Sequence, residues 1–348
     1  MKPLRRRQRH VADPAHRTEL LALLGCTAPE PLQRDRLIEY LHAIQDRRGH
    51  LPEALLAALA AELHIALAEV AEVASFYHHF DLVKNGEAAP PTLTVRVCDS
   101  LACAMHGAEA LAERLAASLG PGVRVQRVPC VGRCHEAPVA VVGQNPVAAA
   151  TAEAITATVA AGRTTAAEPA ARRLAEYRAA GGYAQYDACR RGERTPDEVF
   201  ASLEDAGLRG LGGAGFALGR KWRLVAAQPA PRYLAINIDE GEPGTFKDRH
   251  YLETEPHAFL EGALIAAWAV GIARIWIYLR DEYAGCRAVL QRELAALAAA
   301  YPDAPAIELR RGAGAYICGE ESAMIESLEG KRGMPRLRPP YLAEVGLF

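Results

Sequence analysis

Little in this sequence stands out by abundance. Aromatic residues make up only 6% of the 348, and methionine occurs 4 times. Neither sign of charge is in excess, with 40 Lys and Arg against 42 Asp and Glu. A net charge of −2 argues against a nucleic-acid binder, which is usually basic. The one basic concentration is Lys2, Arg5, Arg6, Arg7 and Arg9, and residues 1–29 are expected to form a disordered basic arm. No apolar run approaches the roughly 20 residues of a membrane span. The nearest, 262–273, is closed by Arg274 and is expected to be a buried helix. Asp13, Pro14, Arg17 and Glu19 interrupt the stretch before Cys26, which excludes a signal peptide there. These absences predict a cytoplasmic chain with no membrane insertion and no nucleic-acid partner. Half the residues are hydrophobic and 24% are charged, which at this length suits two or three globular domains.

Eight cysteines are present, too many to ignore and, in a cytoplasmic chain, unsuited to a disulfide framework. Cys26, Cys189, Cys286 and Cys318 stand singly and read as small buried hydrophobes. The other four form two close pairs: V-C-D-S-L-A-C holds Cys98 and Cys103, and P-C-V-G-R-C holds Cys130 and Cys134. Each pair follows a strand-like run, 93–97 and 123–128, so each lies on a loop at a strand end. A redox dithiol would favour C-x-x-C, and neither pair is one. A structural zinc site also favours the shorter spacing, although it remains an alternative. Four thiolates on longer loops suit an iron–sulfur cluster best, its type left open by spacing alone. Gly107 and Gly132 allow tight turns beside the sulfurs. His106 and His135 flank the pairs and read as surface residues.

Residues 30–90 carry helical periodicity and are expected to form a small bundle, with Pro52 opening its second helix as the first residue. The adjacent His78 and His79 do not share a helix face and read as structural. Residues 91–161 alternate strand, helix, strand and helix, which predicts a compact α/β domain. Residues 162–194 are polar and glycine-rich, and read as a linker with one short helix. At 195–198, Thr-Pro-Asp-Glu is a helix start, opening a last domain over 195–348.

Six glycines then fall between Gly207 and Gly219. Gly210, Gly212 and Gly215 spell G-x-G-x-x-G, but a helix rather than a strand precedes them, so the match is weak as a dinucleotide fingerprint. The physics of such a loop still holds: bare backbone N–H groups can approach a phosphate or a planar ring closely. Arg220 and Lys221 follow and can balance an anion. A strand at 233–236 runs into N-I-D-E-G-E-P-G-T-F-K-D-R, which crowds Asn237, Asp239, Glu240 and Glu242 at the strand end where α/β sheets bind ligands. Those acids can accept from ribose hydroxyls or a flavin N–H, and disfavour the extra phosphate of NADP. R-R-G-A-G-A-Y-I-C-G-E-E at 310–321 repeats the theme, with Glu320 and Glu321 near a helix start. A cluster moves single electrons and a nicotinamide takes two, so a chain with both needs a converter, and flavin is the usual one.

The residues also carry a family resemblance. Residues 36–142 resemble the small [2Fe-2S] subunit of complex I, through the L-x-x-I-Q-D and G-H-L-P helix pair, A-S-F-Y-x-x-F, V-C-x4-C and C-V-G-x-C-x-x-A-P. Residues 196–348 resemble its flavin subunit, through G-L-R-G-x-G-G-A-G-F, N-x-D-E-G-E-P-G-T-F-K-D-R, G-A-G-A-Y-I-C-G-E-E and S-L-E-G-K-R-G-x-P-R-x-x-P-P. Their fusion resembles the diaphorase subunits of soluble NAD-linked formate dehydrogenases and NAD-reducing hydrogenases. D-S-x-x-C-A-M and Leu211 are most similar to the formate dehydrogenase branch. The resemblance implies an α/β fold class: a helical bundle, a thioredoxin-like [2Fe-2S] domain over 91–161, and an incomplete FMN/NAD-binding domain over 195–348.

By position, the resemblance places the [2Fe-2S] ligands on Cys98, Cys103, Cys130 and Cys134. It places FMN contacts on Gly210, Gly212, Gly213, Lys221, Asn237, Asp239, Glu240, Tyr316, Gly319, Glu320 and Glu321. NAD(H) contacts fall on Phe216, Lys221, Glu242, Glu321 and Tyr341. No catalytic acid or base is expected, since hydride transfer between nicotinamide and flavin is direct. The implied partners are a molybdenum- or tungsten-bearing formate dehydrogenase alpha subunit, or hydrogenase subunits. Three residues depart from the pattern: Leu211 replaces an Arg, Leu224 an aromatic, and Tyr341 the usual Phe. Relatives continue past the position of Phe348 into a β-rich domain and a helical domain with a [4Fe-4S] cluster, so a C-terminal truncation is expected. The other expected class is a non-catalytic, cluster-bearing assembly module.

Overall fold

The computed structural model describes residues 13–25 and 31–348, and divides into two compact bodies. The first holds the chain to Pro129, then Glu136–Thr164 and Arg311–Pro335. The second holds Cys130–His135, Thr165–Arg310 and Arg336–Phe348.

The first body opens with helices, and the first of them corrects an expectation. Pro14–Leu24 is helical, although it lies within the stretch expected to be disordered. Asp13 caps it by accepting from the N–H of Ala15 at 2.8 Å, Pro14 takes the first position, and Gly25 ends it at φ 69°. Leu20 is fully buried, Arg17 pairs with Glu62 at 2.6 Å, and Arg47 donates to the carbonyl of Ala22 at 3.0 Å. The remainder of that arm, 1–12 and 26–29, lies outside the described residues, as does Cys26.

The expected bundle follows as Leu37–Arg48, Glu53–Glu62 and Leu67–Phe76. Leu37, Leu41, Ile44, Leu55, Leu59 and Val70 recur at helical spacing and are buried. Pro52 stands one place earlier than expected, as the extended N-cap residue. It extends a short parallel pairing of Leu51–Pro52 with Leu82–Val83. His79, read as structural, packs its ring 4.9 Å from that of His42.

The α/β segment carries a four-stranded sheet in the order Val123–Val128, Leu93–Cys98, Ala140–Val142, Asn145–Val147. The first two strands are parallel and joined through Leu101–Met105 and Ala108–Ser118. The last two form an antiparallel hairpin that adds to the expected β-α-β unit. Helix Ala152–Ala160 closes it, capped by Thr151.

Residues 311–335, expected within the last domain, pack into this first body instead. Buried Tyr77 donates to the Lys331 carbonyl at 2.7 Å while its Oη lies 2.9 Å from the Ser327 hydroxyl, and Arg311 pairs with Asp46 at 2.6 Å.

The second body is built on a three-stranded sheet with Ile272–Leu279 between Arg232–Ile238 and Ala306–Arg311. The first two strands run parallel. Ile275, Trp276, Ile277, Tyr278 and Leu279 are all buried, as expected of a strand covered on both faces. The long apolar helix is present as Pro256–Val270; Gly271 at φ 72° ends it, and Ile272 already begins the central strand. Among the described residues, no helix is long and apolar enough to cross a membrane.

Residues 162–194 are a correction too. They carry two short helices, Leu174–Ala179 and Ala184–Arg190, and Tyr183 and Tyr186 between and within them are core residues. The cause is buried Glu261. It accepts from Tyr177 Oη and Tyr183 N at 2.8 Å each, and from Tyr186 N at 3.3 Å. Tyr183 Oη in turn meets His257 Nδ1 at 2.9 Å, and His257 Nε2 meets Glu293 at 2.8 Å. Glu261→Ala leaves two backbone donors and a hydroxyl unpaired, and is expected to lower stability by about 3 kcal/mol. Urea unfolding followed by circular dichroism checks this; a change under about 1 kcal/mol would make Glu261 dispensable.

Candidate functional site

The two cysteine pairs fall in different bodies. Cys98 closes the strand Leu93–Cys98, where its N–H donates to the Val139 carbonyl at 3.1 Å. Ser100 then starts the helix Leu101–Met105, and that helix carries Cys103. Both sulfur-bearing residues are buried, while Leu101 and Met105 on the same short helix are exposed. The four-residue spacing thus spans a strand end and one helical turn. His106, as expected, is exposed at the helix end.

The second pair lies on the segment Cys130–His135 of the second body. The two sulfurs are 3.3 Å apart, and neither residue is in a disulfide. Gly132, at φ 72°, turns its N–H onto Cys130 Sγ at 3.4 Å. A second donor comes from far along the chain: Gly244 N–H lies 3.1 Å from Cys134 Sγ. Burial pushes the Cys134 thiol up in pKa, and the Gly244 donor opposes that shift. Sulfurs that are close, outside any disulfide and met by backbone N–H groups suit a thiolate-held cluster, so the segment fits that group.

Two guanidinium groups hold this segment. Arg280, 5% exposed, donates through one Nη to the Cys130 carbonyl at 2.5 Å and through the other to the Glu240 carbonyl. Arg249, also buried, donates through Nε to the Gly132 carbonyl at 3.1 Å. The Tyr283 ring sits against Gly132 so closely that any Cβ there would collide with it. His135 is exposed yet stacks on Phe246 at 4.4 Å.

The glycine loop follows helix Pro196–Asp205 and opens helix Leu218–Ala226, so the preceding element is a helix, as the sequence indicates. Gly210 N donates to the Phe216 carbonyl at 3.0 Å, and Leu218 N to the Leu208 carbonyl at 2.9 Å, closing the loop at its neck. A Cβ at Gly212, Gly213 or Gly215 would meet nothing within 4 Å, and Gly213 sits at φ 99°. The loop is therefore an open backbone cradle. Phe216 and Lys221 are exposed beside it, and so are the departing residues Leu211 and Leu224.

The acidic strand end separates residues that look alike in sequence. Asn237 Oδ1 accepts from the N–H of Asp239 at 3.0 Å. Asp239 is half-buried, but its Oδ2 is sealed from solvent and has no hydrogen-bond partner among the described residues. Burial, aided by nearby Glu282, pushes its pKa up to about 7. An orphaned acceptor of this kind fits a ligand with an N–H or O–H to offer, and a flavin nucleotide has both.

Glu240 is different. It accepts from the N–H groups of Asp248 at 2.9 Å and Arg249 at 3.3 Å, and from Tyr283 Oη at 2.9 Å. Its carboxylate caps helix Lys247–Thr254, a structural role within this body. Glu242 and Tyr341 are exposed. In the first body, Tyr316 and Gly319 bound an exposed turn. Glu320 caps helix Glu321–Leu328 by accepting from Ser322 N and Ala323 N at 2.9 Å each, and Glu321 is exposed.

Sequence patterning missed Arg280, Tyr283, Arg249 and Gly244. The available signal was Y-L-R-D-E-Y at 278–283, which sets polar residues at the end of a second buried strand, the same criterion that singled out 237–242.

Two family descriptions match the chain. "Thioredoxin-like [2Fe-2S] ferredoxin" covers residues 26–163, and "Nuo51 FMN-binding domain" covers residues 203–348. The chain is 33% identical to NAD-reducing hydrogenase HoxS subunit alpha of Cupriavidus necator, over 90% of this chain and 58% of that one. It is 45% identical to the F 2 component of the NADH-quinone oxidoreductase of Rhizobium meliloti, over 50% of this chain and 44% of that one. Among solved structures, an air-oxidised NAD+-reducing [NiFe]-hydrogenase superposes with a TM-score of 0.74 at 33% identity, covering 88% of this chain and 56% of that one. The chain thus spans about half the length of the relatives it matches.

Asp239 gives a pH test. A carboxyl whose pKa is raised on folding holds its proton more tightly when folded, so its contribution to stability is lost as pH rises. The flavin-free protein is expected to lose stability between about pH 4 and about pH 7 through this group. Asp239→Asn should flatten that part of the profile and weaken FMN binding roughly tenfold. Urea midpoints at pH 5 and pH 8, with fluorescence titration of FMN, check both; an unchanged slope would remove Asp239 from the buried acceptors.

Proposed function

We propose that this chain, a complex I-like fusion of a thioredoxin-like [2Fe-2S] ferredoxin domain with a Nuo51-type FMN-binding domain, is the NAD(H)-facing diaphorase subunit of a multisubunit oxidoreductase. It is homologous to the alpha subunit of NAD-reducing hydrogenase HoxS and to the F component of NADH-quinone oxidoreductase. The observation that carries the reading is the hydrogen bond from Gly244 to Cys134 Sγ, because it sets a sulfur of the cysteine pairs against the loop that carries Asp239.

In this reading Cys98, Cys103, Cys130 and Cys134 are the four cluster thiolates. The backbone of Gly210, Gly212 and Gly213 cradles the flavin phosphate, with Lys221 supplying charge. Asn237 and Asp239 meet polar atoms of the flavin, and Tyr316, Gly319, Glu320 and Glu321 complete its contacts. Phe216, Glu242 and Tyr341 face the nicotinamide nucleotide. When bound, FMN accepts an electron pair as hydride and passes electrons on singly, which the [2Fe-2S] cluster can carry. The protein's own share is orientation and exclusion of water, so no side chain is assigned as acid or base.

Anaerobic purification followed by iron, sulfide, zinc and FMN analysis tests this. About two iron and two sulfide per chain are expected, falling below half in Cys134→Ser. FMN-loaded protein should reduce ferricyanide with NADH. Zinc in place of iron would refute the redox reading. Iron and FMN without NADH oxidation would leave a cluster-bearing assembly module.

For the finer assignment, we infer formate as the upstream donor, with a molybdenum- or tungsten-bearing alpha subunit as partner and a cytoplasmic site of action. The support is D-S-x-x-C-A-M at 99–105 together with Leu211. Hydrogen is the second reading, favoured by the alignment with the hydrogenase alpha subunit along 90% of the chain. In the native complex, NAD+ reduction driven by formate but not by hydrogen supports the first reading, and the reverse supports the second.

A further inference from the structure

We propose that the acidic loop of the FMN-binding domain tunes the redox potential of the cluster, through the backbone hydrogen bond from Gly244 to Cys134 Sγ. This deepens the reading above and rests on its assignment of Cys134 as a cluster ligand.

The bond is not a local by-product of the cysteine turn. Gly132 donates to Cys130 from two residues away, whereas Gly244 reaches Cys134 from 110 residues away in sequence. The loop is also built to hold its N–H there. Thr245 N donates to the Glu242 carbonyl at 3.0 Å, closing a turn, and Glu240 anchors the loop to the helix start at 247–249. Gly244 lies at φ 86°, in the left-handed region, while a Cβ there would meet nothing within 4 Å. Glycine is therefore demanded by the backbone angle that aims the N–H, and not by crowding.

Arg280 acts on the same geometry. A single buried guanidinium joins the Cys130 carbonyl to the Glu240 carbonyl, so the cysteine loop and the acidic loop cannot drift apart without breaking one of its bonds. It is a positioning residue, and its charge acts in the same direction as the N–H. Each stabilises the extra negative charge of a reduced cluster more than the oxidised one, and each raises the potential.

The test is a redox titration of the anaerobically purified chain, followed by the electron paramagnetic resonance of the reduced cluster. Gly244→Val keeps the surface open but is strained at this φ, which turns the N–H off the sulfur. Its potential is expected to fall by on the order of a tenfold change in the reduced-to-oxidised ratio, about 59 mV for one electron. Gly244→Ala, less strained, should shift it the same way by less. Arg280→Lys keeps the charge but cannot span both carbonyls, and should also lower it. After exchange into deuterated water, electron–nuclear double resonance should show an exchangeable proton coupled to the wild-type cluster and weakened in Gly244→Val. A Gly244→Val protein with wild-type iron and sulfide, an unshifted potential and the same coupled proton would overturn the proposal. A wild-type chain with no two-iron signal would overturn the cluster assignment itself and the proposal with it.

Discussion

The second body depends on one buried cation. Arg280 leaves the C-terminal end of the central strand into a site from which water is almost excluded, where an unpaired guanidinium would be very costly. Its partners are therefore fixed. Nε meets Glu282 at 3.1 Å, the two Nη groups meet the carbonyls of Cys130 and Glu240, and the Tyr283 ring lies 5.1 Å beneath. Hydrophobic burial brings the strand Ile272–Leu279 into the core, but the guanidinium decides what gathers at its end. It ties a cysteine loop to an acidic loop, and Tyr283, packed on Gly132 while donating to Glu240, locks the same two segments from the other side. Loss of the fork would expose two carbonyls and a charge together, so the arrangement is close to all-or-none.

That constraint explains why neighbouring carboxylates diverge. Glu240 has its oxygens taken by two backbone N–H groups and a phenol, all belonging to the scaffold around Arg280. Asp239, one residue earlier, points its Oδ2 where the scaffold offers no donor. In a low-dielectric site an unmatched carboxylate favours its protonated form, and the rise of its pKa to about 7 follows. Native proteins rarely leave such an atom unsatisfied without a function for it.

What was legible in the sequence follows from what is local. The turn of Cys130 and Cys134 after a strand, the Thr195 helix start and the helix at Glu320–Glu321 are decided within a few residues, and patterning found them, whereas the first pair, expected on a loop, runs from the strand end at Cys98 into the helix that carries Cys103. Glu261 could not be found so. It reaches back some 80 residues to gather Tyr177, Tyr183 and Tyr186, which turns an apparent linker into core. The helix Pro14–Leu24 has the Asp-Pro start and Gly end that mark a helix, yet its neighbourhood of arginines outweighed those signals. Residues 311–335 read as part of the flavin segment because their motif belongs with it, but motif and packing are different questions. Tyr77 and Asp46 decide the second. The two cysteine pairs and the glycine loop were readable as positions in the chain. Arg280, which holds one pair of those cysteines in place, was not, because its partners are carbonyls and carbonyls leave no trace in a residue pattern.

The glycine cradle shows how a substitution read from sequence acquires a physical meaning. Leu211 stands where the family resemblance leads one to expect an Arg, and Arg209, Arg220 and Lys221 are near it in sequence. Arg209 is already used: its Nη1 donates to the Gly215 carbonyl at 2.9 Å and helps close the loop. Arg220 lies over the Phe216 ring, 5.9 Å from its centroid, so moving it to an anion would give up that contact. Lys221 is exposed and, among the described residues, in no ion pair. A phosphate entering the cradle would thus be met by backbone N–H groups and one lysine rather than by a guanidinium fork. Recognition of that kind fixes position through the loop's shape and supplies charge from a flexible stem. Binding at the cradle should then be more sensitive to salt than a bidentate arginine clamp would be, because an exposed ammonium is screened in a way that backbone donors are not.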